Sequence, residues 1–546
     1  MIAPMKHLDL VCVAAEQERT LERLRELGAV HLDLSGAQGA EFAAAKGEIA
    51  DAERAVRTIL KAREGKDVET LELRPHDVAE VLAVDRDRET LKSAVEDLKR
   101  EIRVYEPYSD FDPELAKKLL GEVEGLRDVV GLPERLPEIR LSRMREKLAR
   151  LDGRIAIDDM KLAECDEGEI LRRYPQLADR MAFAAAKELM AKGGEVAGLS
   201  GWIPAAQVPR LQEAAHSAGW GVLLRDPAEG ETPPTLVEPP KLFRPMKALF
   251  DGLGIAPAYT EADVSVPFMC YFSIFFAMLV GDGAYGAIFL AGTLAARKKL
   301  PKSWFTLLAV FSLATVAWGV LSNTWFGAGI PACADWPTVK WLADPSYHNM
   351  MLLCFTIGVS HLMLARIWNG ICRFPDSTAV AEFGWAGVLL FMYMVTNSIV
   401  GIFSGIPGWA FAVFGVSLVA VFGFSVKPSE LKTKGAELGM LPLNIMSALG
   451  DIISYVRLFA VGLASVKVAE NFNSMATGLV SSGNAAWLNC IMAVAMVLIL
   501  VLGHALNLAM AGLSILVHAV RLNTLEFSNH KGVSWSGYAF KPFKKN

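Results

Sequence analysis

From residue 266 onward the chain is a series of apolar runs. Several reach the ~20 residues that a helix needs to cross the ~30 Å hydrocarbon core of a bilayer. The runs lie near 266–296, 304–327, 347–369, 380–402, 409–426, 441–480 and 486–521. Lipid offers backbone N–H and C=O groups no partners, so such segments fold as self-satisfied helices. The rest of the chain differs in kind. Residues 1–245 hold 37 Lys+Arg and 47 Asp+Glu, a net of −10; residues 246–546 hold 18 and 13, a net of +5, and the two sum to the chain's −5. The expected division is a water-soluble part over 1–240, a connecting stretch over 241–265 and a membrane domain over 266–546.

The soluble part has strand and helix signals. "KHLDLVCV" (Lys6–Val13) alternates like a strand, Leu21, Leu24 and Leu27 mark an amphipathic helix stopped by Gly28, and "AVHLDL" (Ala29–Leu34) reads as a second strand. Residues 40–63 and 86–104 are charged helices with sparse apolar stripes, the pattern of an antiparallel coiled coil, and further helix is predicted near 142–165 and 169–192. Gly194–Asp226 is again strand, turn, helix, strand, and Pro227–Pro240 is a proline-rich linker. The expected fold class is therefore α+β here, a ferredoxin-like α/β lobe plus coiled-coil helices, followed by an all-α membrane domain. No Walker loop, GxGxxG or triad pattern occurs, and the seven cysteines form no CxxC pair. No catalytic residue, cofactor, metal ligand or nucleic-acid partner is assigned.

The first apolar run is 31 residues long and broken by "GDGAYG" (Gly281–Gly286). Read as a hairpin, it gives eight crossings. The loops at 297–303, 366–379 and 427–440 then share one side with nine Lys+Arg, against Lys340 alone in the loops at 328–346, 403–408 and 481–485. The positive-inside rule selects that hairpin and puts both termini in the cytoplasm. The opening residues show no apolar signal-peptide core, which agrees. The last two runs exceed one bilayer thickness and are expected as long, tilted helices.

Within the first of these lies Arg457, among Ile453, Val456, Leu458 and Phe459. A guanidinium at the bilayer centre costs at least ~2.5–3.5 kcal/mol. Wound at 100° per residue, Ser454, Arg457 and Asn471 share a stripe with Ser465 at its edge, and Gly503, Asn507, Ser514, His518 and Arg521 share another on the last helix. Interhelical hydrogen bonding is the alternative role for Ser454, Ser465 and Asn507. For Arg521, near a helix end, the alternative is snorkelling. A fixed cation repels ions and draws a carboxylate into its ionised form. Asp451 falls on another face and Glu470 more than three turns away, so the carboxylate is expected on another protein. The stripe Asn507, Ser514, His518 and Arg521 is expected to line an aqueous half-channel open to the cytoplasm.

"ISYVRLFAVGLA" (Ile453–Ala464) and "LVHAVRLNTLEF" (Leu516–Phe527) closely resemble the signature helices of the membrane stator subunit, a or I, of V/A-type rotary ATPases. The "GDGAYG" turn, "GWIP" (Gly201–Pro204) and the C-terminal "KPF" also fit. The resemblance implies a subunit that is not an enzyme by itself. It would face a rotor ring of proteolipid subunits, meet peripheral stalks through its soluble arm, and work with central-stalk and nucleotide-binding subunits in a cell membrane. It also implies that Arg457 takes the place of the family's essential arginine between two half-channels, and Arg521 that of the second. His518 would stand where the family has a polar partner. Ser465 and Ala511 depart from eukaryotic relatives, which have histidine and glutamate there, and the short chain suits a bacterial or archaeal source. The rivals are a secondary ion transporter, which needs an internal repeat and a carboxylate in the bundle, and a membrane-anchored scaffold, which does not need Arg457.

Overall fold

The computed structural model describes residues 1–545 apart from 35, 67–72, 109, 123–134, 229, 427–430 and 480–485. The chain forms two compact units, Met5–Asp226 with Lys541–Asn546, and Met1–Pro4 with Pro227–Phe540.

In the first unit, β1 (Met5–Val13) is followed by α1 (Gln17–Leu27), which ends where Gly28 takes up a left-handed φ of 58°. Four long or short helices follow: α2 (Ala40–Arg63), α3 (Val78–Tyr105), α4 (Pro113–Glu122) and α5 (Leu141–Glu164). Then come α6 (Glu167–Leu189), β2 (Ala191–Gly193), β3 (Val196–Pro204), α7 (Val208–Ala218) and β4 (Gly221–Arg225). The sheet is ordered β2-β3-β1-β4 and its pairings are antiparallel. Leu8, Leu10 and Cys12 alternate onto one buried face, where Leu21, Leu24, Leu211 and Ala215 cover them.

The expected strand at Ala29–Leu34 is reduced to a bridge at His31, which exchanges backbone hydrogen bonds with Trp202 at 2.8 Å each way. Its other edge is taken by the chain's C-terminal tail, where Phe543 N–H donates to Val30 O at 2.7 Å and the Phe543 ring is buried. That long-range partner leaves no local trace in the sequence.

The helix expected over 40–63 is α2, and the one expected over 86–104 lies within the longer α3. Glu41 and Glu48 of α2 pair with Lys187 and Arg180 of α6, and Arg88 of α3 and Glu106 just beyond its end pair with Asp159 and Arg145 of α5, so both helix pairs run antiparallel. Ala52, Ala55, Ile59 and Ala62 form the buried seam of α2. Between Tyr108 and Glu167 the described residues are mostly helical, in α4 and α5; residues 109 and 123–134 lie outside them.

The second unit is helical. Its described α-helices of eight or more residues are α8 (Met246–Leu253), α9 (Ser265–Val280), α10 (Gly283–Ala295), α11 (Lys302–Ser322), α12 (His348–Arg373), α13 (Thr378–Ile399), α14 (Gly408–Phe424), α15 (Leu431–Ile453), α16 (Val456–Thr477) and α17 (Ala486–Ser514). Among the described residues, five stretches are long and apolar enough to cross a membrane; α9 and α10 form a pair bent by 119°, and α14 is a shorter apolar helix. The expected loop at 427–440 is helical from Leu431, and 427–430 and 481–485 fall outside the described residues. Pro227–Pro240 is tied down, since Ala3 N–H donates to Leu236 O at 2.9 Å and Thr235 N–H to Tyr538 O at 2.8 Å. Residues 241–265 contain α8, whose Met246 and Phe250 are buried in the core.

Two irregularities interrupt the long helices that the sequence reads as continuous. The α15–α16 stretch breaks at Ser454–Tyr455, and beyond α17 the chain winds as a π-helix over Ile515–Ala519 and Leu522–Phe527. Such departures concentrate at functional positions.

Candidate functional site

Arg457 is the second residue of α16, just after the break. Its Nε donates to Ser454 O at 3.1 Å, and Ser454 Oγ donates to Asp451 O at 2.6 Å. The positive end of the α16 dipole adds to the guanidinium charge, so the position strongly favours an anion. The anion is internal. Glu526 accepts from Arg457 Nη2 at 3.1 Å through Oε1, and the same oxygen lies 3.6 Å from Arg521 Nε. Glu526 is buried, Arg457 is 23% exposed and Arg521 is 55% exposed at the side chain. Two guanidiniums thus share one carboxylate, which leaves one positive charge uncompensated. Glu526 Oε2 is buried without a hydrogen-bond partner, as is His518 Nδ1.

The expectation of no internal partner for Arg457 is therefore corrected. Arg521 and Glu526 are five residues apart, which at 3.6 residues per turn separates them by about 140°. In the π-helix the bonding period lengthens to five residues, and that brings Glu526 round to the arginines. "LVHAVRLNTLEF" contains the glutamate, but no regular helical wheel puts it on that face.

On the Asp451 side of Arg457 a buried polar chain begins. Asp451 Oδ2 lies 3.0 Å from His530 Nε2, and His530 Nδ1 accepts from Arg366 Nε at 3.1 Å. Arg366 Nη1 donates to Glu382 at 3.2 Å, and Arg373 Nη1 lies 2.9 Å from the same carboxylate. A cavity of about 520 Å³ opens beside this chain, lined by Arg366, Asn444, Ser447, Asp451, Asn529 and His530 among others.

On the other side a second chain runs through α16, α10 and α17. Ser465 Oγ donates to Asn507 Oδ1 at 3.2 Å, and Asn507 Nδ2 donates to Ser465 O at 2.8 Å and to Tyr285 OH at 3.0 Å. Tyr285 OH lies 2.7 Å from His504 Nδ1, and His504 Nε2 lies 3.2 Å from Asn473 Oδ1. By the 1.5 Å rise per residue, Asp451 stands ~9 Å from Arg457 along the helix in one direction, and Ser465 and Asn473 ~12 and ~24 Å in the other.

The "GDGAYG" turn positions this second chain. Gly281 has φ of 71°, and Asp282 caps α10 by accepting from Ala284 N–H at 2.8 Å and Tyr285 N–H at 3.4 Å. Its other oxygen accepts from Gly327 N–H at 2.8 Å. Close approach needs glycine at 319, where a Cβ would lie 2.2 Å from Gly283 Cα.

Ser465 and Asn507 are thus brought together, with Tyr285 and His504. Ser514 instead donates to Met510 O at 2.8 Å. His518 lies in the field of Arg457 and Arg521. Sequence reasoning missed Glu526, Tyr285 and the chain from Asp451 to Glu382; it places His504 near the stripe of Asn507 but not its partners Tyr285 and Asn473. Among the described residues, no group of His, Cys, Asp and Glu could hold a metal ion.

No family model matches the chain. It is 34% identical over 369 residues to the V-type ATP synthase subunit I of Borreliella burgdorferi, a match covering 64% of this chain and 60% of that protein. It is 28% identical to the V-type ATP synthase subunit I 1 of Treponema pallidum over 100% of both chains. It is 24% identical to the A-type ATP synthase subunit I of Methanocaldococcus jannaschii over 84% of this chain and 68% of that one.

Proposed function

The chain belongs to the subunit I family of V-type and A-type ATP synthases, and on that premise we propose that it is the ion-translocating stator subunit of such a rotary complex. The observation that carries this is Arg457, a partly buried cation standing between two separate chains of polar side chains. Next to it, the last span is the least buried of the five, with Val494, Val501, Leu502, Leu506, Leu513 and Leu516 exposed, a surface suited to a proteolipid rotor ring within the lipid bilayer.

In this account the chain from Asp451 to Glu382 belongs to a cytoplasmic half-channel, and the chain from Asn473 to Ser465 to one opening on the opposite face; Asn507 bonds within the second chain, so its place differs from the cytoplasmic one expected from its helical face. Arg521, His518, Ser514, Asn507, Ser465 and Ser454 serve the ion path around Arg457. A ring carboxylate arriving at Arg457 displaces Glu526 from the guanidinium, becomes ionised and releases its ion. The same charge repels ions that would leak between the half-channels. The polypeptide crosses eight times, with both arms of the α9–α10 hairpin and α14 as crossings, and both termini are cytoplasmic. The ferredoxin-like lobe and coiled coil form an arm toward peripheral stalks. ATP chemistry resides on the nucleotide-binding subunits, coupled through the central stalk. The test is purification in mild detergent: small proteolipids and nucleotide-binding subunits co-purify, whereas recovery of this chain alone would contradict the assignment.

A further inference from the structure

The break that precedes Arg457 is built from a distinct hydrogen-bond pattern. Tyr455 N–H donates to Ile452 O at 3.1 Å, Arg457 N–H to Ser454 O at 3.3 Å and Leu458 N–H to Tyr455 O at 3.0 Å. Each spans three residues, whereas Ser454 N–H still donates to Gly450 O at 2.9 Å across four. A three-residue turn advances ~120° per residue against ~100° in an α-helix, so a few such residues rotate everything beyond them. Arg457 therefore points in a direction that a continuous helix would not give it, and Ser454 O, which accepts from its N–H, accepts from its Nε as well.

Tight turns of this kind have poorer hydrogen-bond geometry than an α-helix and need tertiary support. Tyr455 supplies it. Its side chain is fully buried and reaches across to α12. The ring lies over Gly358, where a Cβ would come 2.5 Å from it, and its hydroxyl lies 2.9 Å from His361 Nδ1. Gly358 and His361 are three residues apart, so they share one face of α12. His361 is itself fixed. It stacks on Tyr271 with centroids 4.0 Å apart and on Phe527 at 4.4 Å, and it is fully buried. Phe527 directly follows Glu526, so the same imidazole braces the segment that carries the arginine's partner.

We propose that Tyr455 and His361 form a latch that holds the helix break and sets the direction of Arg457. Both are positioning residues. The inference rests on the ion-translocating role of Arg457 and adds what keeps that arginine in register with a moving ring. The hydroxyl–imidazole bond orients the ring of Tyr455, and Gly358 lets the ring approach α12. Without the bond the break can relax toward a continuous helix, which swings the guanidinium away from Glu526 and from an incoming carboxylate.

The test uses the assembled complex in vesicles and measures ATP-driven ion uptake. Tyr455→Phe keeps the ring and removes only the hydroxyl, and His361→Leu removes the other partner. Each is expected to lower the uptake rate about fivefold, from the loss of one buried hydrogen bond, with assembly unchanged. The double variant should be no slower than either single one, since both remove the same bond. His361→Gln can accept from the hydroxyl and should restore most of the rate, which a loss of mere packing would not allow. Gly358→Ala should lower uptake as Tyr455→Phe does. Arg457→Gln run in parallel separates the two ideas. If it abolishes uptake while Tyr455→Phe and His361→Leu both transport normally, the latch is overturned and the role of Arg457 stands. If Arg457→Gln also transports normally, the function itself is contradicted. Independent, additive losses in the double variant would likewise overturn the latch.

Discussion

Arg457 Nη2 and Glu526 Oε1 are 3.1 Å apart, a partly buried ion pair joining the start of one long helix to the π-helical end of another. Removing one partner of such a pair strands the other charge, which costs about 3–5 kcal/mol when both are fully buried and less here, where Arg457 keeps some solvent contact. Glu526→Gln is therefore expected to leave Arg457 searching for another anion. It should bind the ring carboxylate longer and slow ATP-driven ion uptake by about tenfold, with the complex still assembled. An uptake rate equal to wild type would show that Glu526 has no part in the cycle.

Asn507 is buried and makes three hydrogen bonds, to Ser465 Oγ, Ser465 O and Tyr285 OH. Asn507→Leu should leave the Tyr285 and Ser465 groups without those partners, at about 1–3 kcal/mol for each buried group stranded. Ser514→Leu removes a hydroxyl bonded to its own helix backbone and should cost under about 1 kcal/mol in stability. Thermal unfolding of the two variants in detergent checks the contrast; equal losses would contradict it.

A cysteine placed at Lys299, beyond α10, reports topology. With α9 and α10 as separate crossings it should react with an impermeant thiol reagent added from the cytoplasmic side only. Labelling from the opposite face would overturn the eight-crossing arrangement.

His31 links the arm's lobe to pH. Burial holds its imidazole below the ordinary value near 6.5, against the pull of the Lys541 carbonyl 3.0 Å from Nδ1. A folded value below the unfolded one means the unfolded state binds more protons. Stability is then fully present above about pH 6.5 and falls as the pH drops below it. Amide exchange at Phe543 should speed up between about pH 6.5 and 5, and His31→Gln should flatten that dependence. A wild-type protein with no change over this range would contradict the account.

The charged first part, the apolar helices that follow it and the helices over 40–63 and 86–104 were legible because they rest on composition and period. The partner of Arg457 was not. Glu526 reaches it only through π-winding, and a wheel drawn at 100° per residue groups Asn507 with Ser514, although Asn507 bonds Ser465 and Tyr285 on other helices and Ser514 bonds its own backbone. The strand expected at Ala29–Leu34 had the right alternation, but the tail around Phe543 claims one edge of it from more than five hundred residues away. Tyr285 stood in a quoted motif, yet its hydroxyl's partners, His504 and Asn507, lie on a helix that only the tertiary fold brings near.

The most direct measurement is ATP-driven ion uptake into vesicles containing the assembled complex with Arg457→Gln. The account predicts that the complex assembles and that uptake is abolished, with Arg457→Lys failing as well, because an ammonium lacks the planar fork and can lose its proton when desolvated. Near-normal uptake with Arg457→Gln would contradict it and leave this arginine as a fastener between helices.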